Sequence, residues 1–98
     1  MNLAHKVYKK LLQVPKGKVT TYSALAKAVG LKNGQRVIGR IMNKNPYPVV
    51  IPCHRVILSN GKVGGYAWGG KVKTKMLAKE GIKIKKGKIL DPNIIYRF

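Results

Sequence analysis

Thr21-Tyr22-Ser23-Ala24-Leu25-Ala26-Lys27-Ala28-Val29-Gly30-Leu31-Lys32-Asn33-Gly34-Gln35-Arg36-Val37-Ile38-Gly39-Arg40-Ile41-Met42-Asn43 reads as two short helices joined by a turn. Thr21 can N-cap the first helix, which carries Tyr22, Leu25, Ala26 and Val29 on one face and ends at Gly30. Residues 31–34 form the turn, and a second helix is predicted over 35–43. Two helices linked through a glycine-containing turn are the signal of a helix-turn-helix. At ~100° per residue, Val37, Ile38, Ile41 and Met42 gather on one side of the second helix, and Arg36, Gly39, Arg40 and Asn43 on the other. Gly39 weakens that helix by ~1 kcal/mol relative to Ala. Its place among arginines suits a face that must come close to a nucleic-acid backbone. Solvation of a basic face with an incidental glycine is the plainer alternative.

Working outward, Leu3, Val7, Leu11 and Leu12 recur at helical spacing, with Lys6, Lys9 and Lys10 opposite and Pro15 and Gly17 as the stop. After the second helix of the motif, Asn45-Pro46-Tyr47-Pro48 forces a turn. Residues 49–58 are expected to be extended, although Pro52 rules out a fully paired central strand. Ser59-Asn60-Gly61 is a hairpin signal and residues 62–66 the return strand, a basic wing beside the helix-turn-helix. Gly64, Gly65, Gly69 and Gly70 surround Tyr66 and Trp68, a loop whose backbone can approach a planar ligand. A further helix over 72–80 is expected to bury Val72, Met76 and Leu77 and to be capped by Gly81. Residues 82–98 read as a small hairpin turning at Lys86-Gly87, then an irregular tail. The fold class is α+β, mainly α: one winged helix-turn-helix domain over 1–98.

The charge narrows the function. Twenty-one Lys and Arg stand against two acids, Glu80 and Asp91, giving +19 over 98 residues of which 45% are hydrophobic. Basic residues run through the whole chain, so the folded surface itself is cationic, and self-repulsion on this scale is relieved by a polyanion. Ion-pair networks of the thermophile kind would need matching Glu, which is nearly absent. Nucleic acid is the implied partner. A single cysteine excludes an internal disulfide and fits a reducing, cytoplasmic setting. One Cys and two His fall short of a structural zinc site, so no metal is expected. No apolar stretch approaches the ~20 residues of a membrane span, and the amphipathic first ten residues lack a signal peptide's continuous apolar region.

Cys53, the one thiol, is followed directly by one of two histidines, His54. A buried structural thiol is the ordinary reading of a free cysteine. A thiolate needs stabilisation, which a cationic field supplies in part, and a histidine relay could take the proton. Neighbours on an extended segment face opposite ways, so a bridging water is expected between Cys53 and His54. Glu80 sits where the macrodipole opposes an acid. A specific partner such as an imidazole explains it better than chance, with a surface ion pair to lysine as the alternative.

The run Ile51-Pro52-Cys53-His54-Arg55-Val56-Ile57 resembles the active-site signature of the O6-alkylguanine-DNA alkyltransferases. Val19-Thr20-Thr21-Tyr22-Ser23-Ala24-Leu25-Ala26 is similar to that family's first motif helix, and Arg36-Val37-Ile38-Gly39 with Asn43-Lys44-Asn45-Pro46 to its recognition helix and following turn. Gly64-Gly65-Tyr66-Ala67-Trp68-Gly69-Gly70 resembles its substrate loop and Leu77-Ala78-Lys79-Glu80-Gly81 its last helix, so the likeness covers about residues 3–82.

That resemblance implies roles. Cys53 accepts the alkyl group, His54 takes its proton through a water, and Glu80 orients His54. Tyr22 donates to N3 of the flipped guanine, and Asn45 organises the turn beside the thiol. Arg36 fills the gap in the base stack, with Gly39, Arg40, Asn43 and Thr21 on the DNA face. Tyr22, Cys53, Val56, Tyr66 and Ala67 line the pocket. Arg55 supports structure or contacts phosphate. The implied function is stoichiometric repair of double-stranded DNA containing O6-alkylguanine by a monomer needing no cofactor. Family members often carry an amino-terminal domain, whereas this chain is expected to begin at the catalytic one. Alkyltransferase-like proteins, which bind the lesion without repair, have another residue, often Trp, where Cys53 stands. A lesion-sensing module and an architectural DNA-coating protein are the rival functions.

Overall fold

The computed structural model describes residues 2–45, 51–64, 70–96 and 98. Helix α1 spans Leu3–Leu11, strand β1 Thr20–Thr21, α2 Tyr22–Ala28 and α3 Gln35–Asn43. A 3-10 turn, Cys53–Arg55, leads into β2, Val56–Ile57; α4 covers Gly70–Lys79, and β3, Ile84–Lys85, pairs with β4, Lys88–Ile89, ahead of a last 3-10 turn, Pro92–Ile94.

Local chemistry accounts for the ends of these elements. The Asn2 side chain caps α1 by accepting from His5 N at 2.9 Å, and Thr21 Oγ1 caps α2 by accepting from Ala24 N at 3.0 Å. Each satisfies one of the four orphan N–H groups of a helix start. Gly30 and Gly81 end α2 and α4 in the left-handed region, at φ +84° and +87°. Glycine at Gly34 is needed for close approach: a Cβ there would stand 2.8 Å from Leu31 Cβ and 3.1 Å from Ala26 Cβ. This is how the turn brings α3 onto α2. Tyr8 Oη then ties α1 to α3 by donating to Ile41 O at 3.0 Å.

Two hydrophobic clusters meet at the β1–β2 pair. Val7, Leu11, Val14, Leu25, Ala26, Ile38, Met42, Cys53 and Val56 form the first, contributed mainly by α1, α2 and α3. Val19, Ile57, Val63, Leu77, Ile82 and Ile89 form the second, under α4 and the β3–β4 hairpin. Val56 and Ile57 point to opposite sides of the pair, as the two-residue period of a strand demands, and so serve one cluster each.

Several expectations are corrected. Of the return expected over 62–66, Leu58 N donates to Lys62 O at 2.9 Å and residues 65 and 66 lie outside the described residues, but the strand partner of β2 is a different one. β2 pairs in parallel with β1, Thr20 opposite Val56 and Thr21 opposite Ile57. The Ser59-Asn60-Gly61 turn does form, closed by Gly61 N to Leu58 O at 2.9 Å, and Lys62 also bridges Lys88. The hairpin among the described residues is β3–β4, with the turn at Lys86-Gly87 that the sequence signals. Residues 53–55 are a 3-10 turn, not extended, because Pro52 (φ −78°, ψ 65°) makes an inverse γ-turn in which Cys53 N donates to Ile51 O at 2.7 Å. Leu12, Val37 and Val72, expected in the core, are exposed, since α1 ends at Leu11 and α4 presents Lys73 and Leu77 inward.

Two glycine variants test this packing in opposite directions. Gly34→Ala should lower stability by about 1–3 kcal/mol through overpacking. Gly39→Ala, where an added Cβ meets nothing within 4 Å, should raise it by roughly 0.5–1 kcal/mol through helix propensity. Urea unfolding of both, measured beside the parent, checks the pair.

Candidate active site

Cys53 is buried, at 4% exposure, where the two clusters adjoin. The 3-10 turn places His54 and Arg55 on the side of α4, and both reach Glu80. His54 Nε2 lies 3.0 Å from Glu80 Oε2; Arg55 Nε donates to Oε1 at 2.9 Å and Nη2 to Oε2 at 2.7 Å. Arg55 Nη1 donates also to Val14 O at 3.0 Å. The arginine is therefore structural: a bidentate fork fixes the carboxylate and ties it to the chain ahead of β1.

Electrostatics assign the tautomer. Burial pushes the Glu80 carboxyl up, but the hydrogen bonds and charges of Arg55 and His54 outweigh it and hold the group below its ordinary value. Burial dominates at His54 and lowers its pKa despite Glu80. At neutral pH an ionised carboxylate faces a neutral imidazole. Glu80 can then only accept, so Nε2 carries the hydrogen and Nδ1 is the basic nitrogen.

Asn45 is buried beside the turn, and its Nδ2 donates to Ile51 O at 2.9 Å, the same carbonyl that receives Cys53 N. The carbonyl thus holds the loop ahead of the thiol from two directions. Tyr22, at the start of α2, has its hydroxyl pKa raised by burial and then by the negative charge of Cys53. It stays a donor within electrostatic reach of the sulfur. Val56 is fully buried in the first cluster, against the site's floor. Tyr66 and Ala67 lie outside the described residues.

Lys73 is a site residue that the sequence reading misses. It is fully buried on α4, its Nζ donating to Val56 O at 2.5 Å and lying 5.8 Å from the Tyr22 ring centroid. Burial lowers its pKa to about 8, while the charge of Cys53 acts in the opposite sense. The ammonium thus lies within electrostatic reach of Cys53. A signal exists in the spacing: Lys73, Leu77 and Glu80 fall at i, i+4 and i+7, one helix face that holds both a buried cation and the relay acid.

The remaining residues lie on the outer face. Arg36, Arg40 and Asn43 are exposed and Gly39 is half-buried. A cleft of about 440 Å³ runs between α3 and the turn after β2, lined by Tyr22, Arg36, Gly39, Leu58 and Asn60. Thr21, placed with the DNA face from the sequence, is buried with its hydroxyl engaged in the cap of α2, so its side chain serves the fold. Among the described residues no group of three or more His, Cys, Asp or Glu could hold a metal ion, and no helix is long and apolar enough to cross a membrane.

Comparison with known proteins follows the same outline. Residues 2–82 match the family described as 6-O-methylguanine DNA methyltransferase, DNA binding domain. The chain is 43% identical over 81 residues to a methylated-DNA–protein-cysteine methyltransferase of Candida glabrata, covering 83% of this chain and 39% of that one. For the protein of the same name from Saccharolobus islandicus the figures are 45% over 78 residues, 80% and 50%. The chain thus spans half or less of the curated relatives it matches. Among solved structures, Schizosaccharomyces pombe Atl1 in complex with damaged DNA containing O6-carboxymethylguanine superposes with TM-score 0.85 at 29% identity, covering 99% of both chains. The O6-methylguanine-DNA methyltransferase of Pyrococcus kodakaraensis gives 0.75 at 41%, covering 84% of this chain and 47% of that one.

Acid titration tests the carboxylate cluster. A carboxyl whose pKa is depressed on folding contributes stability above its unfolded value, here near 4.5, that is lost as pH falls through the folded value. With Asp91 the sole other acidic side chain, acid destabilisation below that value should be carried largely by Glu80. Glu80→Gln should be less stable near neutrality by roughly 1–3 kcal/mol, the cost of leaving Arg55 and His54 unsatisfied. Its stability should also fall less steeply below pH 4.5. Urea unfolding at a series of pH values on both sides of that point reads both.

Proposed function

The chain belongs to the 6-O-methylguanine DNA methyltransferase family, matched through its DNA-binding domain, and from that premise we propose that it repairs O6-alkylguanine in double-stranded DNA by moving the alkyl group to Cys53. The observation that carries this reading is the chain of hydrogen bonds joining the thiol's neighbour to Glu80: His54 neutral, its Nε2–H on a carboxylate locked by Arg55. A passive binding domain has no need of a lone buried thiol beside a tautomer-fixed base.

The lesion's alkyl carbon lies inside the duplex, so the nucleotide must be extruded, at a cost of a few kcal/mol. Arg36, exposed at the first turn of α3, fills the vacated space, and Gly39 lets the backbone approach. Through a water, His54 Nδ1 takes the thiol proton, while Lys73 balances the sulfur's charge. The thiolate attacks the alkyl carbon; the carbon–O6 bond breaks and its electron pair passes to the purine, where a hydrogen bond from Tyr22 to N3 offsets the charge. The product is an S-alkyl thioether on Cys53. It has no ready leaving group, so each molecule acts once. The reaction requires no cofactor. It does require a reduced thiol, which fits a monomer working in the cytoplasm.

The second reading, a module that senses the lesion without transfer, draws support from the full-length superposition on Atl1. The relay beside Cys53 favours the transferase.

Substitutions separate the steps. Cys53→Ser should abolish transfer while duplex binding persists. Arg36→Ala should slow transfer from duplex much more than from free O6-benzylguanine, which needs no flipping; equal losses would return Arg36 to a structural role. Lys73→Met should slow both substrates. The same variant has a stability signature: between about pH 8 and 10.5 the parent should gain stability relative to Lys73→Met, by at most about 1.4 kcal/mol per pH unit. There the folded chain has shed the buried proton and the unfolded chain still holds one. Single-turnover rates on the two substrates, with urea unfolding across that range, check these outcomes.

A further inference from the structure

The family match ends at residue 82, and the β3–β4 hairpin lies beyond it. The hairpin is firmly built. Ile84 and Ile89 are opposite each other across it, Ile89 buried and Ile84 packed against the second cluster. Ile89 N donates to Gly61 O at 3.0 Å and Val63 N to Gly87 O at 2.8 Å. The pair is thereby joined to residues 61–63, directly after the turn that forms one wall of the α3 cleft. Its outward side chains are Lys83, Lys85, Lys86 and Lys88, all exposed, with exposed Lys62 bridged to Lys88.

Two features make this more than a solvated charged edge. Lys86 sits in the left-handed region, at φ +53°, ahead of Gly87 at +74°. A two-residue loop with both φ values positive favours Asn-Gly or Asp-Gly, so a lysine at the first position is held there against its backbone preference. Moreover, Glu80 is engaged by Arg55 and His54, and Asp91 Oδ1 accepts from Asn93 N. Five lysines are thus held together on a rigid support in a chain with two acidic side chains, both already engaged.

We propose that the β3–β4 hairpin is a second DNA-contacting surface, in which Lys62, Lys85, Lys86 and Lys88 bind phosphates of the duplex flanking the site read by α3. The proposal rests on the reading of the chain as a duplex-binding transferase. Lys85, Lys86 and Lys88 extend the footprint past the matched residues 2–82, with Lys62 joining it from inside them. Its contribution is to affinity without sequence or lesion preference, because the hairpin offers ammonium groups and no planar or bidentate donor for base edges.

The test replaces Lys85, Lys86 and Lys88 together by Gln, which removes the charges but keeps the Cβ and Cγ methylenes, including the Lys88 Cγ beside Gly61. Duplex affinity is measured against salt, for alkylated and undamaged DNA, with Arg40→Ala as the α3 reference. Each phosphate no longer neutralised should reduce the steepness of log K against log salt by about 0.9. By that rule the triple variant should have a slope shallower by about 2–3, equally on both duplexes. Its thermal unfolding and its transfer from free O6-benzylguanine report whether it is folded. An unchanged slope in a folded triple variant, with Arg40→Ala still weakening binding, overturns the hairpin surface and leaves the proposed function standing. No salt-dependent duplex binding by the parent chain would remove both. As a second variant, Lys86→Gly relieves the turn and removes one charge. It should raise stability and lower the slope by about 0.9; higher stability with an unaltered slope contradicts the role of Lys86.

Discussion

Glu80 is the point at which the fold and the chemistry are joined. In a chain carrying 21 basic side chains and two acidic ones, this carboxylate receives the Arg55 fork and the His54 ring at once. Through Arg55 it also holds Val14, at the end of the first hydrophobic cluster, and through its own backbone it continues α4. Removing its charge would loosen three elements and leave His54 with no fixed tautomer. The same ionisation that stabilises the fold thus decides which imidazole nitrogen is basic.

The site is built by exclusion of water on one side and by charge on the other. Cys53 belongs to the first cluster as a small apolar residue would, yet Tyr22 and Lys73 bring a hydroxyl and an ammonium within its electrostatic reach. A buried lysine costs stability unless something holds it, and here the Val56 carbonyl and the face of Tyr22 do so. The proposed role of Cys53 draws on this arrangement, a thiol held inside the protein with a hydroxyl and an ammonium already placed near it.

Much of this is legible in the chain. The caps at Thr21, Gly30 and Gly81, the α3 span and the Lys86-Gly87 turn follow from local rules that depend on a few adjacent residues. Glu80 can be singled out because an acid at a helix end is anomalous in so basic a sequence. Strand partnership is not legible: β2 is two residues long, and nothing local distinguishes a return through Ser59-Asn60-Gly61 from parallel pairing with β1 far upstream. Pro52 announces an interruption but not that the backbone tightens into a 3-10 turn, swinging His54 and Arg55 together toward α4. Lys73 escapes because a lysine on a helix is ordinarily solvated, and burial of its ammonium depends on a carbonyl seventeen residues away. Thr21 suits two roles by sequence, cap and DNA contact, and its one hydroxyl serves the first.

Whether Cys53 is a single-use alkyl acceptor is decided by intact-mass analysis after incubation with an excess of duplex carrying O6-methylguanine, followed by peptide mapping. The chemistry derived above requires a gain of one methyl group per molecule, located on Cys53, with no further gain at longer times. A mass unchanged while the duplex is bound, or methyl groups removed from the DNA in numbers exceeding the protein, would refute it.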